Sequence, residues 1–449
     1  MSEFRNNPAV STVPDIDDSG GFDHWWRNLV VCVFGSFAMA VAMTLILPFL
    51  PLYVEQLGVS SPPAMIQWSG IAYGASFFSA ALTAPLWGRV ADRYGRKLTL
   101  VRASLGMTIV MSLMGCAYTV EQLVTLRLFA GLLGGYTSGS MVLVATQTPK
   151  ARCGWALGVL SSGIMAGNVA GPVIGGTLPS MIGIRATFLA AGAVIGVAFV
   201  ATVFFVKRDY PTAKRGEHAA EKRGWDAVPD KRPIVAMLLT GMLLLLANMS
   251  IEPIISVYVG QLAVTPDHVT FVAGLVMSGT ALGSILSASR LGRLADRIGH
   301  WRVIVGSLIA CSILLVPQAF VTHAWQLIAL RFSMGIALGG LLPSIASVIR
   351  HSVPPNVTGL MLGYSTSAQY AGQVAGPLVG GYFGSHYGMR SVFWGTALLM
   401  SVGVLVNWIV LVRIRHRPTD VRLSGHRGAD VLCTGTPAQT RAVEGNTEG

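Results

Sequence analysis

Three ionisable side chains stand where charge is least welcome. Arg127 lies within "LVTLRLFAGLL", Glu252 within "NMSIEPII" and Arg331 within "LIALRFSMGIAL", each in an apolar stretch. A charge near a bilayer centre costs roughly 2.5–3.5 kcal/mol on insertion scales, so an ionisable group there marks an ion or proton pathway. Glu252 is the one acid well inside such a stretch, which makes it a candidate proton carrier. The simpler reading puts it at the outer mouth, hydrated and inert. Arg127 is either functional or bonded to backbone carbonyls, and Arg331 reads as structural.

A second concentration of chemistry is a charged turn that occurs twice. "GRVADRYGRKLTL" begins at Gly88 and "GRLADRIGHWRVI" at Gly292, 204 residues later. A short turn favours glycine where helices meet closely, and Gly88 and Gly95 supply it. Asp92 and Arg96 are four apart and could pair on a helical turn. Arg89, Arg93 and Lys97 read as orienting charge, but orientation needs no acid. Gly88, Asp92, Arg96, Gly292 and Asp296 are therefore expected to form a latch that joins two lobes in one state and releases in another. His300 stands where the first copy has Arg96, so the second copy lacks a permanent cation at neutral pH.

A third pattern is made of small residues. Gly163, Gly167, Gly171 and Gly175 recur every fourth residue, with Pro172 among them, and Ala368, Gly372, Gly376, Pro377 and Gly380 repeat the arrangement. Such a stripe lets membrane helices approach closely, and the proline is expected to bend its helix. Trp68, Tyr73, Tyr136, Met165, Asn168, Tyr364, Gln369, Tyr370 and Gln373 are candidate walls of a binding cavity. For each, lipid-facing or core packing is the competing reading.

These groups need elements to hold them. Of 449 residues, 52% are apolar and 12% charged, about half the charge of an ordinary soluble domain. Apolar runs long enough to cross a core about 30 Å thick lie near 28–53, 65–87, 98–118, 121–145, 155–182, 186–206, 233–259, 269–290, 302–321, 325–349, 358–386 and 391–413. The runs do not alternate, which excludes a β-barrel. The expectation is an all-α polytopic membrane protein of twelve transmembrane helices.

With both termini cytoplasmic, 28 of the 32 Lys and Arg fall on the cytoplasmic side and 2 on the other, Arg185 and Arg390. That asymmetry sets the orientation and accounts for the +12 net charge without nucleic acid. The five cysteines are scattered, with no metal-ligand spacing. No phosphate-binding GxxxxGK[ST] loop occurs either, so ATP drive is not expected.

Four motif pairs recur at offsets of 204 or 205 residues, including "RLFAG" with "RFSMG" and "GNVAGPVIGG" with "GQVAGPLVGG". The chain reads as one six-helix unit used twice, in parallel. The expected organisation is a cytoplasmic segment 1–27, bundles 28–206 and 233–413, a cytoplasmic linker 207–232 and a disordered tail 414–449.

"GRVADRYGRK" resembles the cytoplasmic-loop signature of major facilitator superfamily transporters. "RLFAGLLGG" resembles their fourth-helix arginine motif, and "GNVAGPVIGG" the fifth-helix signature of the drug:proton antiporter branch. "NLVVCVFGSFAMAVAMTLILPFLPLYVEQLGV" looks more narrowly like the start of the MdtG-type family of bacterial multidrug efflux proteins. The resemblance spans residues 28–413. It implies export rather than uptake, a proton-coupling role for Arg127, and a cavity between the halves.

The resulting expectation is an inner-membrane antiporter that exchanges protons for amphipathic compounds. It would act as a monomer in lipid, without cofactor or metal. A carrier for a sugar or organic anion, a membrane enzyme and a transporter-like sensor are the rivals. An anion carrier should hold more than two cations in its helices, and an enzyme needs converging His, Asp or Ser groups that the chain lacks.

Overall fold

The computed structural model describes residues 24–207, 228, 230–262, 264, 265 and 268–415, apart from a few side chains, Asp92 among them. The readings of 1–23, 208–227 and 416–449 as terminal segment, linker and tail lie outside the described residues.

The first half comprises α1 (Trp25–Thr44), α2 (Leu50–Gln56), α3 (Pro62–Tyr94), α4 (Arg96–Gly115), α5 (Val120–Leu133), α6 (Tyr136–Gln147), α7 (Cys153–Ile182) and α8 (Ile184–Phe205). The second comprises α9 (Lys231–Ile251), α10 (Ile255–Gly260), α11 (Val269–Ile298), α12 (His300–Gln318), α13 (Ala324–Leu338), α14 (Leu341–Ser352), α15 (Pro355–Tyr387) and α16 (Met389–Arg415). Joined end to end, α1–α2, α5–α6, α9–α10 and α13–α14 are each one interrupted span. Among the described residues, ten helices or pairs are long and apolar enough to cross a membrane. The more polar α3 and α15, 33 residues each, complete twelve.

The interruptions have local causes. Gly135 takes φ +103° between α5 and α6, a conformation that other L-residues adopt at a cost. Pro253 lacks an N–H, and a 3-10 turn, Glu252–Ile254, replaces α-helix there. Pro172 produces no such break, because α7 runs unbroken from 153 to 182.

The charged turn is itself largely helical, which corrects the expected loop. Gly88 to Tyr94 form the last turns of α3, and the reversal is made at Gly95, with φ +88°; Gly299, with φ +97°, does the same after α11. At 1.5 Å per residue, α3 is about 50 Å long, far beyond a core of about 30 Å. Its charged end therefore projects past the apolar slab. Gly88 and Gly292 are not points of close helix contact here: nothing lies within 4 Å of where a Cβ would stand on either.

The two halves pack alike. α1 lies on α7, α3 on α5 and α4 on α8; in the same order, α9 lies on α15, α11 on α13 and α12 on α16. Two seams join the halves, α3 with α15 and α7 with α11. They repeat one another. Gly70 meets the carbonyl of Pro377, and Gly274, at the equivalent place, meets the carbonyl of Pro172. Thr270 Oγ1 donates to Gly176 O at 2.9 Å and Ser278 Oγ to Val169 O at 2.7 Å across the second seam. These contacts lie away from the end carrying the Lys/Arg-rich reversals. Toward that basic end Gly154, Gly158, Gly359 and Gly363 also face open space.

The glycine stripe works within each half. Gly163, Gly167, Gly171 and Gly175 abut Val33, Ala40, Thr44 and Leu45 of the first span, while Gly372, Gly376 and Gly380 abut Met242, Met249 and Ser250 of the seventh. Gly380→Val is expected to destabilise the fold by about 1–3 kcal/mol through overpacking, because the Ser250 backbone occupies the Cβ position. Gly88→Ala, with open space around it, should leave thermal unfolding in detergent unchanged or slightly higher. Equal melting of the two variants would show that the close approach is not tight.

Candidate functional site

A cavity of about 780 Å³ lies between the halves, bounded by interrupted and continuous helices alike. Its walls include Met39, Met43, Met249 and Met277, with Phe77, Asn248 and Ser76. Methionine adapts to varied apolar shapes, and the amides and hydroxyls add hydrogen bonding. None of these was singled out in sequence. Asn248 could have been found as the residue one turn before Glu252.

Of the expected wall residues, Tyr73, Tyr136, Asn168, Gln369, Tyr370 and Gln373 line the cavity. Asn168 on α7 and Gln373 on α15 are repeat-related, 205 residues apart, and face it from both halves. Tyr136 donates to or accepts from Thr202 Oγ1 at 2.9 Å, so its hydroxyl is committed to the protein. Three expected wall residues lie elsewhere. Trp68 packs half-buried against the apolar core, and Tyr364, 39% exposed, is off the cavity lining. Met165 belongs to a separate outer groove between α7 and α11, because its side chain leaves α7 about 60° round from Asn168.

Two of the three membrane charges, Arg127 and Glu252, line this cavity. Arg127, 1% exposed, donates from Nε to Ala72 O at 3.2 Å, and its guanidinium sits 5.3 Å from the Tyr73 ring centroid. Ser76 Oγ donates to the Arg127 carbonyl at 2.9 Å, tying α5 to α3. Glu252 lines the same cavity from the 3-10 turn, with Oε2 buried and without a hydrogen-bond partner. Its side chain faces the cavity between the halves rather than an outer mouth. Arg331 is equally buried, at 1% exposed; its Nε and Nη2 have no hydrogen-bond partner, and Nη1 reaches Met334 Sδ at 4.0 Å.

Electrostatics joins these groups across the two halves. Tyr73 interacts with both Arg127 and Glu252, and Glu252 with Arg331. The groups form a chain in which Tyr73 adjoins Arg127 and Glu252, and Glu252 in turn feels Arg331. Glu252 and Arg331 interact through space while Oε2 of the one and Nε and Nη2 of the other lack hydrogen-bond partners, so protonating the acid changes the charge balance around Arg331. Arg331, read from sequence as structural, is the charge that acts on Glu252.

At the basic end the expected latch residues lie on α3, α4 and α11. Asp296 Oδ1 is 3.9 Å from His300 Nε2, and His300 Nε2 is 2.6 Å from Ser347 Oγ. Gly88 and Gly292 face open space, Arg96 opens α4, and the Asp92 side chain lies outside the described residues. Among the described residues, no group of three or more metal-ligating side chains converges.

A family model described as Major Facilitator Superfamily matches residues 32–271 and 237–442. Multidrug resistance protein MdtG of Serratia proteamaculans is 41% identical over 399 residues, which cover 89% of this chain and 96% of that protein. The MdtG of Proteus mirabilis is 36% identical, over 86% of this chain and 96% of its own. Among solved structures, a bacterial homologue of the human lysosomal transporter Spinster, inward-facing and unoccupied, superposes with a TM-score of 0.70 at 14% identity, covering 89% of this chain and 99% of that one. The nucleoside transporter NupG gives a TM-score of 0.68 at 14% identity, covering 84% and 99%. At that identity the structural likeness shows the fold alone.

Proposed function

The chain belongs to the major facilitator superfamily, and on that premise we propose that it exports amphipathic small molecules in exchange for protons, by alternating access. The observation that carries this reading is the cavity itself, which Arg127 and Glu252 line, with the halves in close contact at Gly70 and Gly274 and open space at the glycines toward the basic end. The positive-inside rule makes the basic end cytoplasmic, so this conformation faces inward. Both termini are then cytoplasmic, and the names of the MdtG relatives support placement in a bacterial inner membrane and drug-like cargo.

Loading would proceed from the cytoplasm, with methionine and aromatic walls accepting apolar bodies and Asn168, Gln369 and Gln373 their polar groups. Glu252 is the proton carrier. Arg127 and Arg331 set the charge balance that its protonation disturbs. One proton moving down the membrane potential supplies about 2.3 kcal/mol per 100 mV. The protein acts as a monomeric carrier rather than a catalyst, with the proton gradient in place of a cofactor.

In the alternate state the charged ends of α3 and α11 close the cytoplasmic side, and Gly88, Asp92, Arg96, Gly292 and Asp296 form the latch. Asp92→Asn is expected to cut dye efflux from cells to background while membrane insertion stays normal. Wild-type efflux in that variant would remove the latch.

The overall function is tested by a toxicity screen in a bacterial strain stripped of its efflux pumps. Expression should raise tolerance to several unrelated amphipathic compounds, and a protonophore should erase the gain. Tolerance to none of them, or a gain indifferent to the protonophore, would refute proton-driven export.

A further inference from the structure

The outer groove between α7 and α11 is separate from the transport cavity and has no part in the proposed cycle. Its volume is about 490 Å³, and its walls are Ser162, Ala166, Val169 and Val173 of α7 with Leu282 and Ile285 of α11. Val169, whose carbonyl accepts from Ser278 Oγ, lies within its α7 wall, which runs from Ser162 to Ile174. Residues 162–174 rise about 18 Å along the helix and straddle the middle of α7 (Cys153–Ile182).

At 100° per residue, Trp155 falls on the same face of α7 as Ser162, Ala166, Val169 and Val173, two turns nearer the basic end. Trp155 is 52% exposed and stacks on Trp26, 53% exposed, with centroids 5.7 Å apart and planes at 14°. Trp25 meets Trp26 edge-on, and the exposed Arg152 stands 5.9 Å from the Trp25 ring centroid. An apolar channel thus lies in line with aromatic rings and a cation, its near end at Ser162 about 10 Å along α7 from Trp155. Aromatic rings of this kind settle at headgroup level, and the cation complements a phosphate.

The repeat does not reproduce this arrangement. The positions equivalent to Trp26 and Trp155 carry Lys231 and Leu360, and those equivalent to Leu282 and Val173 carry the larger Phe78 and Leu378. Plain packing of a duplicated fold would have left similar grooves on both seams.

We propose that this groove binds one acyl chain of an anionic phospholipid from the leaflet at the basic end, with Arg152 and the Trp26–Trp155 stack holding its headgroup. The acyl chain supplies apolar area that the parted helices otherwise leave to loosely packed lipid. The cation selects phosphatidylglycerol over phosphatidylcholine.

The full chain would be reconstituted in vesicles carrying a trace of phosphatidylglycerol or phosphatidylcholine with a diazirine in mid-chain. After illumination, adducts are mapped by peptide mass spectrometry. Labelling should concentrate on 162–174 and 282–285 and be about fivefold stronger for the anionic lipid, the preference one surface cation confers. Leu282→Phe, which installs the side chain its repeat-related position already carries, should remove the groove adducts. Ala166→Phe fills the groove from the other wall and should do the same, so the result does not hang on one variant folding. Arg152→Gln should keep the adducts but equalise the two lipids. Labelling spread evenly round the apolar belt, or equal groove labelling by both lipids in the unaltered protein, would overturn the proposal.

Discussion

Glu252→Gln is expected to reduce pH-gradient-driven export in everted membrane vesicles to the level of empty vesicles, while substrate exchange without a gradient persists. Glutamine keeps the shape and hydrogen bonding of the side chain but cannot carry a proton. It also leaves Arg331 buried without its counter-charge. A buried cation that loses an opposite charge nearby is less well compensated, so the variant should melt below the wild type.

Loss of stability and loss of coupling can be told apart. Pairing Glu252→Gln with Arg331→Gln removes both charges, and replacing a whole buried pair is often neutral. The double variant should recover most of the lost thermal stability and none of the proton coupling. Recovery of gradient-driven export in the double variant would show that Glu252 serves packing rather than proton transfer.

The second large effect is expected at the seams. Gly70→Trp or Gly274→Trp should hold the closed end apart, because the carbonyls of Pro377 and Pro172 already fill the space next to those glycines. The indole cannot be absorbed, so the halves must rotate toward a state open at that end. Efflux should fall to background in either variant. A cysteine placed at Gln373 on the cavity wall should then react with a membrane-impermeant thiol reagent from outside the cell. In a protein that keeps Gly70 and Gly274, the same cysteine should be shielded much of the time. Unchanged outside reactivity, with the variant present in the membrane, would mean that these seams do not govern access.

The two seams also show why part of this molecule was legible in one dimension. Twelve spans follow from the length of apolar runs, since lipid leaves backbone polar groups no partner outside the helix. The duplication follows from matched offsets, and it carried over into matched helix pairings and matched glycine–proline contacts. The reversal at Gly95 was placed almost where it occurs. Its flanks were not, because charged residues beyond the apolar slab can stay helical when water solvates them.

The site was legible by type rather than by arrangement. Arg127 and Glu252 stood out because charge in an apolar run is costly, and both line the cavity. Trp68, Met165 and Tyr364 could not be sorted from Tyr73, Asn168 and Tyr370 in that way. A fully apolar helix has no polar face to reveal which side meets lipid, and Met165 and Tyr370 occupy equivalent repeat positions yet face different spaces.

What the order of residues determined by itself was the number of spans, their duplication and the side on which positive charge collects. These depend on local hydrophobicity, charge and spacing alone. What only the tertiary structure decided was which charge meets which. Arg331 acts electrostatically on Glu252, and Tyr73 of the other half interacts with both Glu252 and Arg127, because α3, α5, α9 and α13 converge on one cavity. Electrostatic interaction depends on distance through space, and these four residues lie in four different spans.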